Sequence, residues 1–76
     1  MPLPQFSLVK LMSDDYRSKG VLAGDTGVIV DVYGDKAYEV EFSRDDGTTI
    51  AWFAVPQDQV ALVTEDETAA LRNSRG

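Results

Sequence analysis

The chain has 76 residues, a formal net charge of −6, and neither cysteine nor histidine. That length accommodates one domain at most, the composition excludes disulfides and the usual zinc ligand sets, and the charge argues against nucleic acid, whose affinity rests on Lys and Arg neutralising phosphates. A chain this short buries only about 60% of the surface it exposes when unfolded, which leaves little of it to build a catalytic cleft beside a core.

The first residues, Met1-Pro2-Leu3-Pro4-Gln5, have no basic stretch and no long apolar run, so they do not read as a signal peptide. No segment approaches the roughly 18–20 apolar residues of a membrane span. The expectation is a cytoplasmic protein with an N-terminal arm over 1–5, a folded domain over 6–63 and a tail over 64–76.

Short apolar runs separated by turn signals predict a sheet or barrel. In Ser7-Leu8-Val9-Lys10-Leu11-Met12, Lys10 decides which face is wet, so Val9 and Leu11 are assigned to the core. A long polar loop, Ser13 to Asp25, follows, broken only by Val21-Leu22. Thr26 to Tyr33 is the clearest strand, with Val28, Val30 and Val32 on one face and Gly27, Ile29, Asp31 and Tyr33 on the other. Gly34-Asp35-Lys36 then makes a tight turn into Ala37-Tyr38-Glu39-Val40-Glu41-Phe42. There Tyr38, Val40 and Phe42 point in and Glu39 and Glu41 point out, so the two runs form a hairpin. After the turn Ser43 to Gly47, a fourth strand runs from Thr48 to Val55 and stops at Pro56, which has no N–H to give a ladder. Gln57-Asp58-Gln59 suits one turn of 3₁₀ helix, and Val60 to Val63 a last strand against the first. Thr64-Glu65-Asp66-Glu67 has the spacing of a helix start, and a frayed tail with one helical turn is expected there.

The stretch Leu22-Ala23-Gly24-Asp25-Thr26-Gly27-Val28-Ile29-Val30, followed by Tyr38-Glu39-Val40-Glu41-Phe42, resembles the SH3-like barrel of KOW domains. More closely, the run from Leu8 to Val63, with Asp46, Gly47 and Thr49 after the hairpin, resembles a family of small bacterial proteins of unknown function. The resemblance implies an all-β, SH3-like barrel of about five short antiparallel strands. Some members sit beside toxin-like genes, which implies an antitoxin or immunity role. The KOW likeness implies contact with RNA or the ribosome, an implication that the acidic balance opposes.

Several residues invite a chemical reading. Gly24-Asp25-Thr26-Gly27 offers backbone amides to a phosphate, but it reads better as a tight entry into the second strand in which Asp25 hydrogen-bonds its own turn. Asp14-Asp15 and Asp45-Asp46 lack the alternating spacing of a calcium loop, so no metal or cofactor is expected. Nothing in the spacing of Ser, Thr, Lys or the carboxylates suggests an activated nucleophile or a general acid–base pair, so no catalysis is expected.

The outer face of the hairpin offers more. A loop of Gly34-Asp35-Lys36 sets Tyr33 opposite Ala37, Asp31 opposite Glu39 and Ile29 opposite Glu41. That makes an acidic, partly apolar patch in which like charges oppose one another, at a cost of up to roughly 1 kcal/mol. It reads either as a docking surface for a basic protein or as a solvated face that resists edge pairing. Trp52 and Phe53, adjacent in a strand, must point to opposite faces; one is core and the other an exposed anchor that Tyr16 of the long loop joins, unless both are buried.

The leading expectation is a non-enzymatic protein-binding module, of antitoxin or immunity type, engaging a basic partner through Asp31, Tyr33, Glu39 and Glu41, with Tyr16, Trp52 and Phe53 as the second group. The alternatives are a KOW-like RNA- or ribosome-associated module and an accessory subunit of a larger enzyme complex. The expected state is a monomer or weak homodimer.

Overall fold

The computed structural model describes residues 2–44 and 46–64. The tail beyond Thr64, and the helix start expected in it, lie outside the described residues. Five strands form one antiparallel sheet: β1 (Leu8–Leu11), β2 (Thr26–Tyr33), β3 (Ala37–Ser43), β4 (Thr49–Pro56) and β5 (Val60–Leu62). The spatial order is β4-β3-β2-β1-β5. Three antiparallel neighbours, β2, β3 and β4, follow one another in the chain, and a 3₁₀ turn at Gln57–Gln59 carries the chain from β4 at one edge to β5 beside β1 at the other. This is the all-β, five-stranded arrangement expected from the sequence. The long loop is less irregular than its composition suggests, since Arg17–Lys19 form a second 3₁₀ turn closed by Gly20 in the left-handed region at φ 83°.

The sheet wraps one side around a small core. Val9 and Leu11 of β1, Ile29 of β2, Tyr38, Val40 and Phe42 of β3, and Val55 of β4 are fully or almost fully buried, as is Val21 from the long loop. Val21 is therefore a plug that the loop contributes to the core, while its neighbour Leu22 stays exposed.

The strand β2 departs from simple alternation. Tyr33 pairs with Ala37, Val32 with Tyr38 and Asp31 with Glu39, but the next pair is Ile29 with Val40, leaving Val30 as the extra residue of a bulge. An inserted residue turns the strand over. Ile29, expected on the outer face opposite Glu41, is instead fully buried, and Val28 takes the place opposite Glu41. The faces assigned to Val28 and Ile29 from alternation are thus corrected, while Val32 remains against the core.

The N-terminal arm closes the bulge. Phe6 adopts φ 72°, and its N–H donates to the Ile29 carbonyl at 2.6 Å, while Gln5 Nε2 donates to the Val30 carbonyl at 2.8 Å. The Leu3 N–H donates to the Tyr38 hydroxyl at 2.7 Å. Backbone groups that the bulge takes out of the ladder thereby keep partners, as buried and half-buried polar groups must.

Candidate functional site

The ladder registers bring most of the expected residues onto one face. On the outer side of β2, β3 and β4, Val28, Glu41 and Trp52 form one cross-strand row, and Asp31, Glu39 and Ala54 form the next. Tyr33, Ala37 and Pro56 close the patch at the hairpin end. Leu8 of β1 extends the first row by pairing with Val28. Directly opposed residues have Cβ atoms about 4.5–5.5 Å apart, and same-face neighbours along a strand are separated by about 6.8 Å. Asp31, Glu39 and Glu41 therefore gather beside Tyr33 and Trp52, both of which are exposed, Trp52 at 59%.

The carboxylates are held in place. The Thr49 hydroxyl donates to Glu41 Oε2 at 2.8 Å, the Tyr33 hydroxyl to Glu39 Oε1 at 3.0 Å, and the Val32 N–H to Asp31 Oδ1 at 2.8 Å. The Glu39 carboxylate that accepts its proton holds the Tyr33 phenol above its ordinary value, with slight burial and the charges of Glu39 and Asp31 adding to the push. Tyr33 is thus a neutral donor within an acidic patch at physiological pH.

Phe53 and Tyr16 belong to the other side. A second ladder irregularity near Ile50 sets Ala51 opposite Phe42 and Phe53 opposite Val40 on the core side, and this is what turns Trp52 outward. The Phe53 ring stacks on Phe42, with centroids 5.3 Å apart, and meets Tyr16 at 4.9 Å, while Lys19 Nζ lies 5.3 Å above it. The Tyr16 hydroxyl donates to Gln59 Oε1, and burial, with the charges of Asp15 and Asp58, raises its phenol above the ordinary value. Tyr16 and Phe53 thus form a half-buried cluster that fastens the long loop to β4 and to the 3₁₀ turn. Tyr16, expected to join whichever ring of the pair is exposed, lies instead with the core-side Phe53, while Trp52 is exposed on the opposite face.

The Gly24–Gly27 turn has the architecture read from its sequence. Gly24 takes φ 93°, and Asp25 Oδ2 accepts the Leu22 N–H at 2.9 Å. Asp14 Oδ1 accepts the Ala23 N–H at 3.2 Å, so this carboxylate also serves the loop. Among the described residues no cluster of His, Cys, Asp or Glu gathers to hold a metal ion, and no helix is long and apolar enough to cross a membrane. One exposed ring was not singled out from sequence: Phe6 stands 71% exposed at the bulge. An aromatic residue in a proline-rich arm carries no pattern by which to single it out.

A chain with this strand order and these turn residues can be placed among known families. Residues 5–62 match the model of DUF4926, a domain of unknown function, and the chain belongs to that family. The match runs from the arm that closes the bulge to the end of β5. No curated protein and no solved structure matches the chain.

Proposed function

We propose that this protein is a non-catalytic binding module that docks a basic protein on the outer face of β2, β3 and β4. The observation that supports it best is the collection of Asp31, Glu39 and Glu41 around two exposed aromatic rings, Tyr33 and Trp52, on a rigid sheet face. Asp31 and Glu39 oppose each other directly, an arrangement that costs the free protein stability and that a cationic partner relieves. Aromatic rings supply contact area at little entropic cost and are favoured as interface anchors. The carboxylates supply steering and partner choice, since a cleft or face of one sign attracts the opposite sign and rejects its own. The formal charge of −6 acts in the same sense over longer range. The resemblance to proteins encoded beside toxin-like genes gives this function a specific form, an antitoxin or immunity protein that occludes a basic target in the cytoplasm.

The test is capture of partners from the source cell on the tagged full-length chain, washed at low and then high salt. The expected result is one dominant basic protein, weakened by salt and lost when Asp31→Asn, Glu39→Gln and Glu41→Gln are combined. Retention of the same protein by the triple variant would move the site to the Tyr16–Phe53 side. Capture of nothing specific at either salt would leave the acidic face as a solvated surface and end the proposal.

A further inference from the structure

We infer that the open edge of β4 takes up an extended segment of the basic partner as an additional strand, with an arginine of that segment laid across Trp52 towards Glu41. This rests on the docking face proposed above and adds the manner in which the partner is held.

The sheet has two edges, β4 and β5. Sheet edges are normally blunted by shortness, charge, proline, bulges or a covering segment. The β5 edge is only three residues long. The β4 edge is eight residues long, carries no charged side chain from Thr49 to Pro56, and among the described residues pairs on one side alone, with β3. Its two ends are guarded, one by the irregularity near Ile50 and the other by Pro56. Between them Ala51, Phe53 and Val55 direct their N–H and C=O groups to β3, in the register set by the Gln57 N–H that donates to the Lys36 carbonyl, so it is Trp52 and Ala54 that turn theirs to the open side, where no other described strand pairs with them. The open N–H and C=O groups of these two residues are a short template for one more strand.

The side chains beside this edge say what the added strand would carry. On the outer face β4 offers Trp52 and the small Ala54, both exposed. A strand added there lies about 4.8 Å from β4, and β3 lies one further spacing beyond. A side chain of the new strand that projects beside Trp52 has the indole next to it and Glu41 behind the indole, because Glu41 and Trp52 are direct cross-strand partners. Arginine fits this pair. Its long stem lies along apolar surface, its guanidinium stacks on tryptophan, and its fork matches a carboxylate, which Thr49 here holds by one oxygen. Two residues further along the same segment a second cation comes beside Ala54, across from Glu39. A second copy of this chain suits the edge less well. Pairing β4 with itself brings uncharged side chains beside Trp52, leaves Glu41 without a cation, and joins two chains of charge −6.

The experiment is a titration of the isotope-labelled full-length chain, followed amide by amide, with two peptides of about eight residues, a usual strand length. One alternates threonine and arginine. The other has the same side chains with every backbone amide methylated, so it keeps the charge and cannot complete a ladder. The expected result is that shifts concentrate on the Trp52 and Ala54 amides, which face the open edge, and on the Trp52 indole. The methylated peptide should bind about tenfold more weakly or not at all, and Trp52→Ala and Glu41→Gln should each weaken the unmethylated one several-fold. Equal binding of the two peptides would overturn the added strand while leaving a charge-driven docking face intact. Absence of binding, or shifts centred away from β4, would overturn it as well. So would concentration-dependent self-association that protects the β4 amides, since the occupant would then be a second copy.

Discussion

Ile29 lies directly across the ladder from Val40, and Val30, next along the strand, is the extra residue of a bulge. The insertion puts Ile29 into the core at 0% exposure while Asp31, two residues later, stands in water. Ile29 is thus the point at which β2 changes from a core strand to half of an exposed hairpin. Its side chain belongs to the buried cluster formed with Val9, Leu11, Val40 and Phe42. Ile29→Ala is expected to cost about 2–5 kcal/mol, as full truncation of a buried aliphatic does, read as a lowered denaturant midpoint with an unchanged slope. In a domain this small that is a large part of the total stability.

The same bulge marks where the sequence stopped being legible. The strands, their turns and the inward positions of β3 follow from alternation, because Tyr38, Val40 and Phe42 are separated by carboxylates that cannot be buried. The first half of β2 has no such interruption. Gly27-Val28-Ile29-Val30 is apolar at every position after the glycine, so either face could be the core face, and a bulge in β-branched residues leaves no mark in the pattern. Asp31, Tyr33 and Glu39 lie on the hairpin side of the insertion, where the pairing counted back from the Gly34 turn is correct, and Glu41, beyond it, keeps its outward face through the alternation of β3 although its partner is Val28 and not Ile29. Trp52 and Phe53 were ambiguous for a related reason. Their adjacency fixed that they face apart, but which one faces out depends on the irregularity near Ile50, which again has no side-chain signature.

Gly27 is required for space and not for backbone freedom. A Cβ placed there would lie 2.7 Å from the Glu41 carbonyl oxygen, 2.8 Å from Val40 Cγ1 and 2.9 Å from Phe42 Cδ1. The nearest of these is backbone of the neighbouring strand, which cannot swing away as a side chain can. Gly27→Ala is therefore expected to destabilise the fold by about 1–3 kcal/mol through overpacking, despite the better strand propensity of alanine. Thermal or denaturant unfolding checks this. Gly24→Ala serves as the contrast: it leaves the β2–β3 contact intact, and its cost comes from φ 93° alone.

The turn between β3 and β4 should respond to acid. Asp46 Oδ1 accepts the Thr48 N–H at 2.9 Å, and this bond, with help from the Thr48 hydroxyl and from Arg44, holds the Asp46 carboxyl below its ordinary value of 3.8. A carboxyl whose folded value is depressed contributes stability above its unfolded value and loses it as pH falls through the folded one. The turn is thus expected to keep its geometry at neutral pH and to loosen below about pH 4. The Thr48 amide should report this as a titrating shift with a midpoint under 3.8. In Asp46→Asn that titration disappears, because the amide oxygen still accepts but carries no proton to gain.

Asp31 links the stability of the free protein to the function proposed for it. Its carboxylate stands opposite Glu39, so the two repel, yet one of its oxygens accepts the N–H of Val32. Asp31→Asn keeps an oxygen for that hydrogen bond and removes the charge. The variant is expected to be more stable than the parent by a few tenths of a kcal/mol and at most about 1 kcal/mol, the gain shrinking as salt screens the repulsion already present in the parent. If the face docks a cation-bearing partner, the same substitution weakens that complex, and it does so most at low salt, where steering is strongest. A gain in stability together with a loss of affinity is what a residue kept for binding should show, since the repulsion is tolerated in the free state and relieved in the complex. A residue kept only to solvate the sheet face would show the first change without the second, so measuring unfolding and partner affinity on this one variant separates the two roles.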